Sequence, residues 1–188
     1  MSPRQATAPV ELIDPSSFRS AMGSFATGVT VVTVRATDGD LHGMTVNSFS
    51  SVSLDPMLVL VCLSRSSRGL ALIEDADVFG VNVLSDGQQG VSRWFADRHR
   101  PADSTMFDGV PFELGATGCP TLLEAVAVFD CRVNQTILAG DHVIVVGKVV
   151  ALTHRPELAP LVFHTGDYRS LGREPIPAPR ARLHVVNS

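Results

Sequence analysis

A row of uncharged polar side chains runs along the stretch from Gly43 to Pro56. β-Branched and apolar residues alternate along this stretch up to the proline, which predicts one strand that ends there. The residues of one parity of that strand are Thr45, Asn47, Phe49, Ser51 and Ser53. Their hydroxyl and amide groups suit a planar, heteroatom-rich ligand lying along a sheet. The alternative interpretation is a solvated edge strand.

The segment from Ser64 to Arg68 has the composition of an anion-binding site. It follows Met57 to Leu63, a continuous apolar run that predicts a strand covered on both faces. It precedes a short helix predicted over 69–76. Backbone N–H groups at a helix start attract anions, and serine hydroxyls and an arginine add donors and charge. The alternative is that a serine of this segment only caps the helix. No Walker loop and no GxGxxG pattern is present, which argues against a Rossmann nucleotide site.

Two turns place a histidine where it could meet a ligand. The hairpin Gly140-Asp141-His142 leaves His142 at the entrance of a strand, where its ring could donate to a bound carboxamide. In the segment from His164 to Arg169, Tyr168 could stack on a ligand and the arginine could pair with a phosphate. The alternative for both segments is an ordinary turn whose glycine and aspartate satisfy the backbone geometry.

Patterns for nucleophilic, acid–base and metal chemistry are absent from the sequence. There is no GxSxG motif, and Cys119 has no base next to it in sequence. The paired acids Glu74 and Asp75 are typical of a solvated helix face. The histidines and the three cysteines lack metal-ligand spacing, and the odd number of cysteines fits free thiols in a reducing cytoplasm.

The composition favours one domain. With 188 residues and 45% hydrophobic content the chain can bury one core. Only 18% of its residues are charged, so we expect some apolar surface to be buried in a homodimer. We expect a disordered arm over 1–12, the domain over 13–172 and an extended tail over 173–188.

The charge and the hydropathy exclude two classes of partner. The net charge is −4 and no run is rich in Lys or Arg, which argues against nucleic acid and anionic membranes. No apolar run approaches the roughly 18 residues that a membrane span needs. We therefore expect a cytoplasmic protein with no membrane and no nucleic-acid partner.

The rest of the pattern predicts strands joined mostly by hairpins. A helix is predicted to begin at Asp14 and to end at Gly28, with three apolar side chains on one face, namely Phe18, Met22 and Phe25. Further strands are predicted over 28–35, 77–84, 127–137 and 142–152, and a further helix after Ser85-Asp86. At least six strands and two or three short helices indicate a mainly β, antiparallel barrel.

Two further expectations concern the second half of the chain. Residues 98–120 are predicted to be irregular, and so long a loop is usually functional or dimer-forming. The strand over 127–137 is predicted to turn five side chains inward, which are Ala127, Phe129, Cys131, Val133 and Ile137. Asp130 and Arg132 are predicted to point the other way.

Taken together, these segments resemble the flavin reductase family with the FMN-binding split-barrel fold. The matching stretches run roughly from residue 15 to residue 172 in the family's order and are Phe18–Met22, Thr27–Thr33, Gly43–Pro56, Phe95–Asp97, Gly140–His142 and Pro160–Arg169. Members are small NAD(P)H-dependent components of two-component flavin monooxygenases. The resemblance implies an antiparallel split β-barrel that forms a homodimer, with the flavin near the subunit interface.

The resemblance also implies a set of site residues. Those expected to touch the flavin ring and ribityl chain are Thr45, Asn47, Ser48 and Ser51. Those expected to line the ring are Cys62, Leu63 and Ser64. Ser67 and Arg68 would reach the phosphate, and Tyr168 and Arg169 would help to close the pocket. His142 would sit at the nicotinamide side as the catalytic residue. Ser66-Ser67-Arg68 departs from the family, where an Asn or Lys often stands, so the side chain that meets the phosphate stays open.

The chemistry implied is hydride transfer from C4 of NADH, or of NADPH, to N5 of FAD or FMN. Such a transfer needs no acid–base pair, so His142 would orient the nicotinamide. The reduced flavin would pass to a partner monooxygenase. The alternatives are a non-enzymatic flavin carrier of the same fold, a pyridoxamine-phosphate-oxidase-like or haem-binding split barrel, and a purely structural dimer, which would leave the polar strand face unexplained.

Overall fold

The computed structural model describes residues 13–172. The predicted arm over 1–12 and the predicted tail over 173–188 lie outside this range. Three helices of the described chain are α1 (Pro15–Gly23), α2 (Arg68–Ala76) and α3 (Gln89–Ala96), and short 3₁₀ turns cover Asp86–Gln88 and Ser104–Phe107. The strands are β1 (Thr27–Gly28), β2 (Thr30–Arg35), β3 (Leu41–Val46), β4 (Ser50–Leu54), β5 (Met57–Ser64), β6 (Val78–Val83), β7 (Phe112–Leu114), β8 (Pro120–Leu122), β9 (Ala127–Ala139), β10 (His142–His154), β11 (Leu161–His164) and β12 (Asp167–Ser170).

All the strand pairs within residues 13–172 are antiparallel, which confirms the predicted fold class. The main sheet has seven strands in the order β3-β2-β6-β9-β10-β5-β4. A small sheet has the order β1-β11-β12, and β7 pairs with β8. The two end strands of the main sheet, β3 and β4, do not pair with each other, so the barrel is open along this seam.

The stretch from Gly43 to Pro56 is not one strand, and this prediction was wrong. β3 pairs with β2, β4 pairs with β5, and the chain crosses between them over residues 47–49. Since β3 and β4 lie at opposite ends of the sheet order, one straight strand cannot belong to both. Ser48 secures the crossing, because its hydroxyl accepts from the Cys62 N–H at 3.0 Å and donates to the Cys62 carbonyl at 2.9 Å.

Two other strand predictions also need correction. The apolar strand β5 is buried on one face and only half-buried on the other. On β9, Ile137 is exposed rather than turned inward, while Asp130, on the other parity, is only 3% exposed. The Asp130 carboxylate can be buried because the backbone N–H and the hydroxyl of Thr117 both donate hydrogen bonds to it.

The first helix begins where the sequence predicts, since the Asp14 carboxylate accepts from the Ser17 N–H at 3.0 Å. It ends at Gly23 rather than at Gly28, because β1 is already paired with β11 there. Phe18, Met22 and Phe25 are all exposed. α1 therefore leaves its apolar side chains uncovered within one chain.

The predicted irregular region, 98–120, contains a 3₁₀ turn and the strand β7, and its residues help to form a second core. Met106 and Phe107 are buried there against Phe95 of α3 and Leu122 of β8. The first core lies between the main sheet and α2, around Val61, Ile73, Phe79 and Val145. No helix within 13–172 is long and apolar enough to cross a membrane.

Candidate functional site

A groove of about 470 Å³ opens where β3, β5 and β10 meet the end of α3. Eight of the predicted site residues border it, namely Thr45, Asn47, Ser48, Cys62, Leu63, Ser64, Ser67 and His142. These residues are up to 97 positions apart in sequence, from Thr45 to His142. The seam of the open barrel brings them together, because the ends of β3 and β5 both face it.

The wall of the groove is held by hydrogen bonds within the protein. Ser48 is engaged with Cys62, as described above. The Thr45 hydroxyl donates to the Ser92 carbonyl at 2.7 Å, so its proton is already used and its oxygen remains an acceptor. Asn47 lies between these two residues and is exposed. The polar strand face thus offers a ligand an amide and pre-oriented hydroxyl oxygens.

One end of the groove is the start of α2. Ser67 is the N-cap of this helix, and its hydroxyl accepts from the Leu70 N–H at 3.2 Å. Ser67 therefore caps the helix, and its proposed role at a phosphate stays a prediction. Capping by Ser67 uses the third N–H of the helix and leaves the first two, of Arg68 and Gly69, without a partner inside the helix. Because those N–H groups carry the positive end of the dipole, this end can hold an anion while Ser67 still donates its own proton.

His142 stands at the rim of the groove next to Ser64. The two residues are directly opposite each other in the β5–β10 ladder. The His142 Nδ1 lies 2.8 Å from the Asp141 carboxylate, and this contact lowers the pKa of Asp141 below its usual value. With Nδ1 engaged by the carboxylate, the ring is oriented and Nε2 is left for a ligand.

Four predicted site residues do not border this groove. Ser51 lies exposed on β4, opposite Val59 of β5. Arg68 lines an adjoining cavity. Tyr168 and Arg169 line a separate cavity beside Arg93.

The Tyr168 side chain is engaged within the protein. Its hydroxyl lies 2.8 Å from the Ser92 hydroxyl, and the Phe163 ring packs edge-on at 5.6 Å. The Arg93 guanidinium sits 5.6 Å above the Tyr168 ring. The Ser92 carbonyl accepts the hydrogen bond of the Thr45 hydroxyl, so Tyr168 is linked through Ser92 to the polar wall of the groove. Arg169 pairs with Asp167 at 3.2 Å on the surface.

The sequence matches known proteins over most of its length. Residues 22–172 match the family described as "Flavin reductase like domain". A flavin reductase of Pseudomonas putida is 43% identical over 156 residues, which is 83% of this chain and 89% of that one. The chain belongs to the flavin reductase family.

Other members of the family differ in length and setting. A probable flavin reductase of Rhizobium meliloti is 48% identical over 141 residues, which is 75% of this chain but only 44% of the relative, so the chain spans less than half of that protein. The reductase subunit of a flavin-dependent monooxygenase of Rhodococcus jostii is 38% identical over 172 residues, covering 90% of this chain and 85% of the relative. The fold matches the NADH:FAD oxidoreductase of Streptomyces globisporus, solved with NAD and FAD fragments, with a TM-score of 0.80 at 37% identity, covering 88% and 99% of the two chains.

The residues of the groove fit a flavin, the ligand for which this family is named. A flavin nucleotide has a planar ring rich in hydrogen-bonding atoms and a phosphate at the end of its ribityl chain. The groove offers matching groups in the same order. Uncharged donors and acceptors lie at the end of β3 and just after it, where the ring would lie, and the free N–H groups of α2 lie at the far end, where the phosphate would lie. Its volume also lies within the roughly 300–1,000 Å³ typical of small-molecule sites.

Sequence reasoning missed two arginines of the groove, Arg98 and Arg100. The Arg100 guanidinium donates to the Gly43 carbonyl at 2.7 Å and to the Asp97 carbonyl at 2.5 Å, so it is fixed between β3 and the end of α3. Burial lowers the pKa of Arg100, although an arginine stays charged at neutral pH. The signal that could have revealed them is the pair of arginines in Arg98-His99-Arg100, at the start of a loop predicted to be functional or dimer-forming.

Proposed function

We propose that this chain is an NADH-dependent flavin reductase that transfers hydride from nicotinamide C4 to flavin N5. The observation that carries the proposal is the groove itself, in which an uncharged polar wall, a helix start and a histidine meet at one seam. Membership of the flavin reductase family supports the same conclusion. NADH is favoured over NADPH because relatives include NADH-dependent FAD and FMN reductases.

The groove residues have distinct proposed roles. Thr45, Asn47 and Ser48, with Cys62 and Ser64, would orient the ring, while Ser67 and the N–H groups of α2 would hold the phosphate. A bound flavin supplies the hydride acceptor, so the protein itself needs no acid–base pair. Its task is to hold two rings in contact with their reacting atoms aligned. Ser51, Arg68, Tyr168 and Arg169 remain candidates for contacts outside the groove.

His142 is proposed to position the nicotinamide rather than to move a proton. In the neutral ring with its proton on Nδ1, facing the Asp141 carboxylate, Nε2 is a hydrogen-bond acceptor. A carboxamide N–H of NADH could donate to this atom. The ring would then fix the angle at which the dihydronicotinamide meets the flavin.

We also propose that the chain forms a homodimer. Large apolar side chains are exposed on three neighbouring strands, β4, β5 and β10, and include Leu54, Met57, Val150 and Leu152. Leu54 is 91% exposed, which is unusual for a leucine in a strand. Phe18 of α1 and Phe25, just after this helix, are exposed as well. Contiguous apolar surface of this kind marks subunit interfaces.

A partner monooxygenase is the proposed consumer of the reduced flavin. The support is the similarity to a Rhodococcus jostii reductase subunit of a flavin-dependent monooxygenase. A second relative is the flavin reductase component of a bacterial two-component tryptophan halogenase. A cytoplasmic location is proposed because the three cysteines are free thiols, two of them buried.

The proposal is tested by mixing the purified protein with NADH and an excess of FAD or FMN and following the loss of NADH absorbance. Multiple turnovers that require added flavin are expected. No turnover, with flavin fluorescence still quenched on binding, would identify a flavin carrier instead. The same assay with NADPH ranks the two nicotinamide donors.

A further inference from the structure

A second cavity, of about 540 Å³, adjoins the groove at the start of α2. The two spaces share one rim, formed by Met44, Ser64, Ser67, Arg98 and Arg100. The residues that line only the second cavity are His42, Ser66, Arg68, Gly69, Pro101 and Ala102. A ligand that fills the groove and extends past this rim therefore enters a space large enough for a second nucleotide-sized group.

The second cavity is strongly cationic. Arg68, Arg98 and Arg100 all border it, together with the start of α2. Among these three arginines only Arg68 has a carboxylate partner within residues 13–172, namely Asp40 at 3.6 Å, and about half of the Arg68 side chain is exposed. A surface pair of this kind contributes little. Two guanidiniums at the rim are thus left without a protein anion, although guanidinium is the group that binds phosphates best.

The wall of the second cavity also contains a buried polar group with no partner. His42 is only 6% exposed, and its Nδ1 has no hydrogen-bond partner among the described residues. Burial, followed by the charges of Arg100 and Arg68, lowers the pKa of His42 to about 4, so the ring is neutral at pH 7. Arg100 Nε is likewise buried and unpaired within 13–172. Unsatisfied buried polar groups are costly, and both of these border a space in which a ligand could lie.

We propose that the second cavity binds the adenosine monophosphate half of FAD, and that the chain therefore prefers FAD to FMN. This inference rests on the proposed function, because it places the flavin ring in the groove. The two phosphates of FAD would lie at the shared rim, between Ser67 and the guanidiniums of Arg98 and Arg100. Arg68 and His42 would face the adenylate. FMN ends at the rim, so it would make no contact with Arg68 and His42.

Equilibrium binding tests the inference without any turnover. The affinities of the purified chain for FAD, FMN and riboflavin are measured by quenching of flavin fluorescence. We expect FAD to bind about tenfold or more tightly than FMN, the gain from one or two added charge-assisted contacts. Adenosine monophosphate, used as a probe of the cavity, should weaken the apparent affinity for FAD and leave that for riboflavin unchanged.

Two variants separate the cavity from the groove. Ala102→Trp places a large ring in the second cavity from an exposed loop position, and it should lower FAD affinity at least about tenfold while FMN affinity changes less than about twofold. Arg68→Gln should also lower FAD affinity more than FMN affinity. Arg65→Gln is the matched control, because Arg65 is an exposed arginine of the same segment that lines neither space.

The outcomes distinguish this inference from the proposed function. Equal affinities for FAD and FMN, or an Ala102→Trp variant that weakens both flavins equally, would overturn the FAD assignment even if NADH oxidation is fast. A selective loss of FAD binding in Ala102→Trp, with competition by adenosine monophosphate, would support it even if the protein oxidises no NADH. In that case the reductase proposal would fail and the binding site would stand.

Discussion

The hydroxyl of Ser48 bonds to both backbone groups of Cys62, at 3.0 Å to the N–H and 2.9 Å to the carbonyl. One side chain thus extends the β4–β5 pairing, in which Ser50 faces Leu60, to the segment that crosses from β3 to β4. The same two residues border the proposed flavin site. The stability of this crossing and the shape of the groove are therefore expected to depend on this one serine.

Replacing Ser48 by alanine should destabilise the protein and weaken flavin binding together. Two hydrogen bonds are lost and a half-buried N–H is left unpaired, which costs about 1–3 kcal/mol of unfolding free energy. Urea unfolding measures the cost. Ser50→Ala is the control, because Ser50 is exposed and, within the described residues, its hydroxyl bonds only to the carbonyl of its neighbour Ser51. Equal stability of the two variants would show that the Ser48 hydroxyl does not hold the crossing segment to β5.

Replacing Gly43 by a residue with a side chain should destabilise the protein. A Cβ at this position would lie 2.6 Å from a ring carbon of Phe95 and 3.2 Å from the Phe107 ring, both buried. Gly43→Ala is expected to cost about 1–3 kcal/mol from overpacking and to shift Phe95, which borders the groove. Gly28→Ala provides the comparison, since a Cβ there has no neighbour within 4 Å. Thermal unfolding of both variants measures the difference in stability. A Gly43→Ala protein as stable as Gly28→Ala would show that Phe95 and Phe107 do not pack tightly against Gly43.

His42 should make the protein less stable as the pH falls. Its pKa in the folded state is about 4, below the unfolded value of 6.5, so the unfolded chain binds the proton first. Stability is therefore lost as the pH decreases from about 6.5 towards about 4, by up to a few kcal/mol. The pKa of nearby Asp40 is lowered mainly by the hydrogen bond that its carboxylate accepts from the Ser104 hydroxyl. Protonation of Asp40 should therefore cost further stability at still lower pH.

Urea unfolding at several pH values tests the contribution of His42. The His42→Gln variant keeps a polar group of similar size that does not titrate. Its stability should fall less than that of the original chain between pH 6.5 and 4. Parallel pH profiles for the two proteins would mean that His42 is not held neutral in the fold.

The sequence predicted the strands with strong hydrophobic patterns and most of the groove. Its motifs were specific enough to identify residues such as Asn47 and His142, which the fold brings to one seam. The break between β3 and β4 could not be predicted, because local alternation does not reveal which strand each half pairs with. Ile137 was assigned to the wrong face for a similar reason: alternation does not reveal the register shift between Val133 and Gln135, where β9 pairs with β10. Arg98 and Arg100 were missed because their role depends on a loop that returns to β3.

Replacing His142 by alanine should lower turnover with NADH more than flavin affinity. The ring is proposed to hold the nicotinamide, and the flavin contacts of the β3 wall do not involve it. Steady-state kinetics with NADH and fluorescence titration with flavin measure the two effects separately. Asp141→Asn is the comparison, since it keeps the imidazole but replaces the charged partner that orients it. Lost flavin binding with normal turnover would contradict this role for His142.

The most direct test of the central claim is an anaerobic mixing experiment with NADH, flavin and a catalytic amount of the protein. The absorbance of NADH and the visible absorbance of the flavin are followed at the same time. If the chain is a flavin reductase, both should fall together, one flavin reduced for each NADH oxidised, and much faster than without protein. If the flavin binds but neither absorbance changes faster than in the protein-free mixture, the chain is not a reductase.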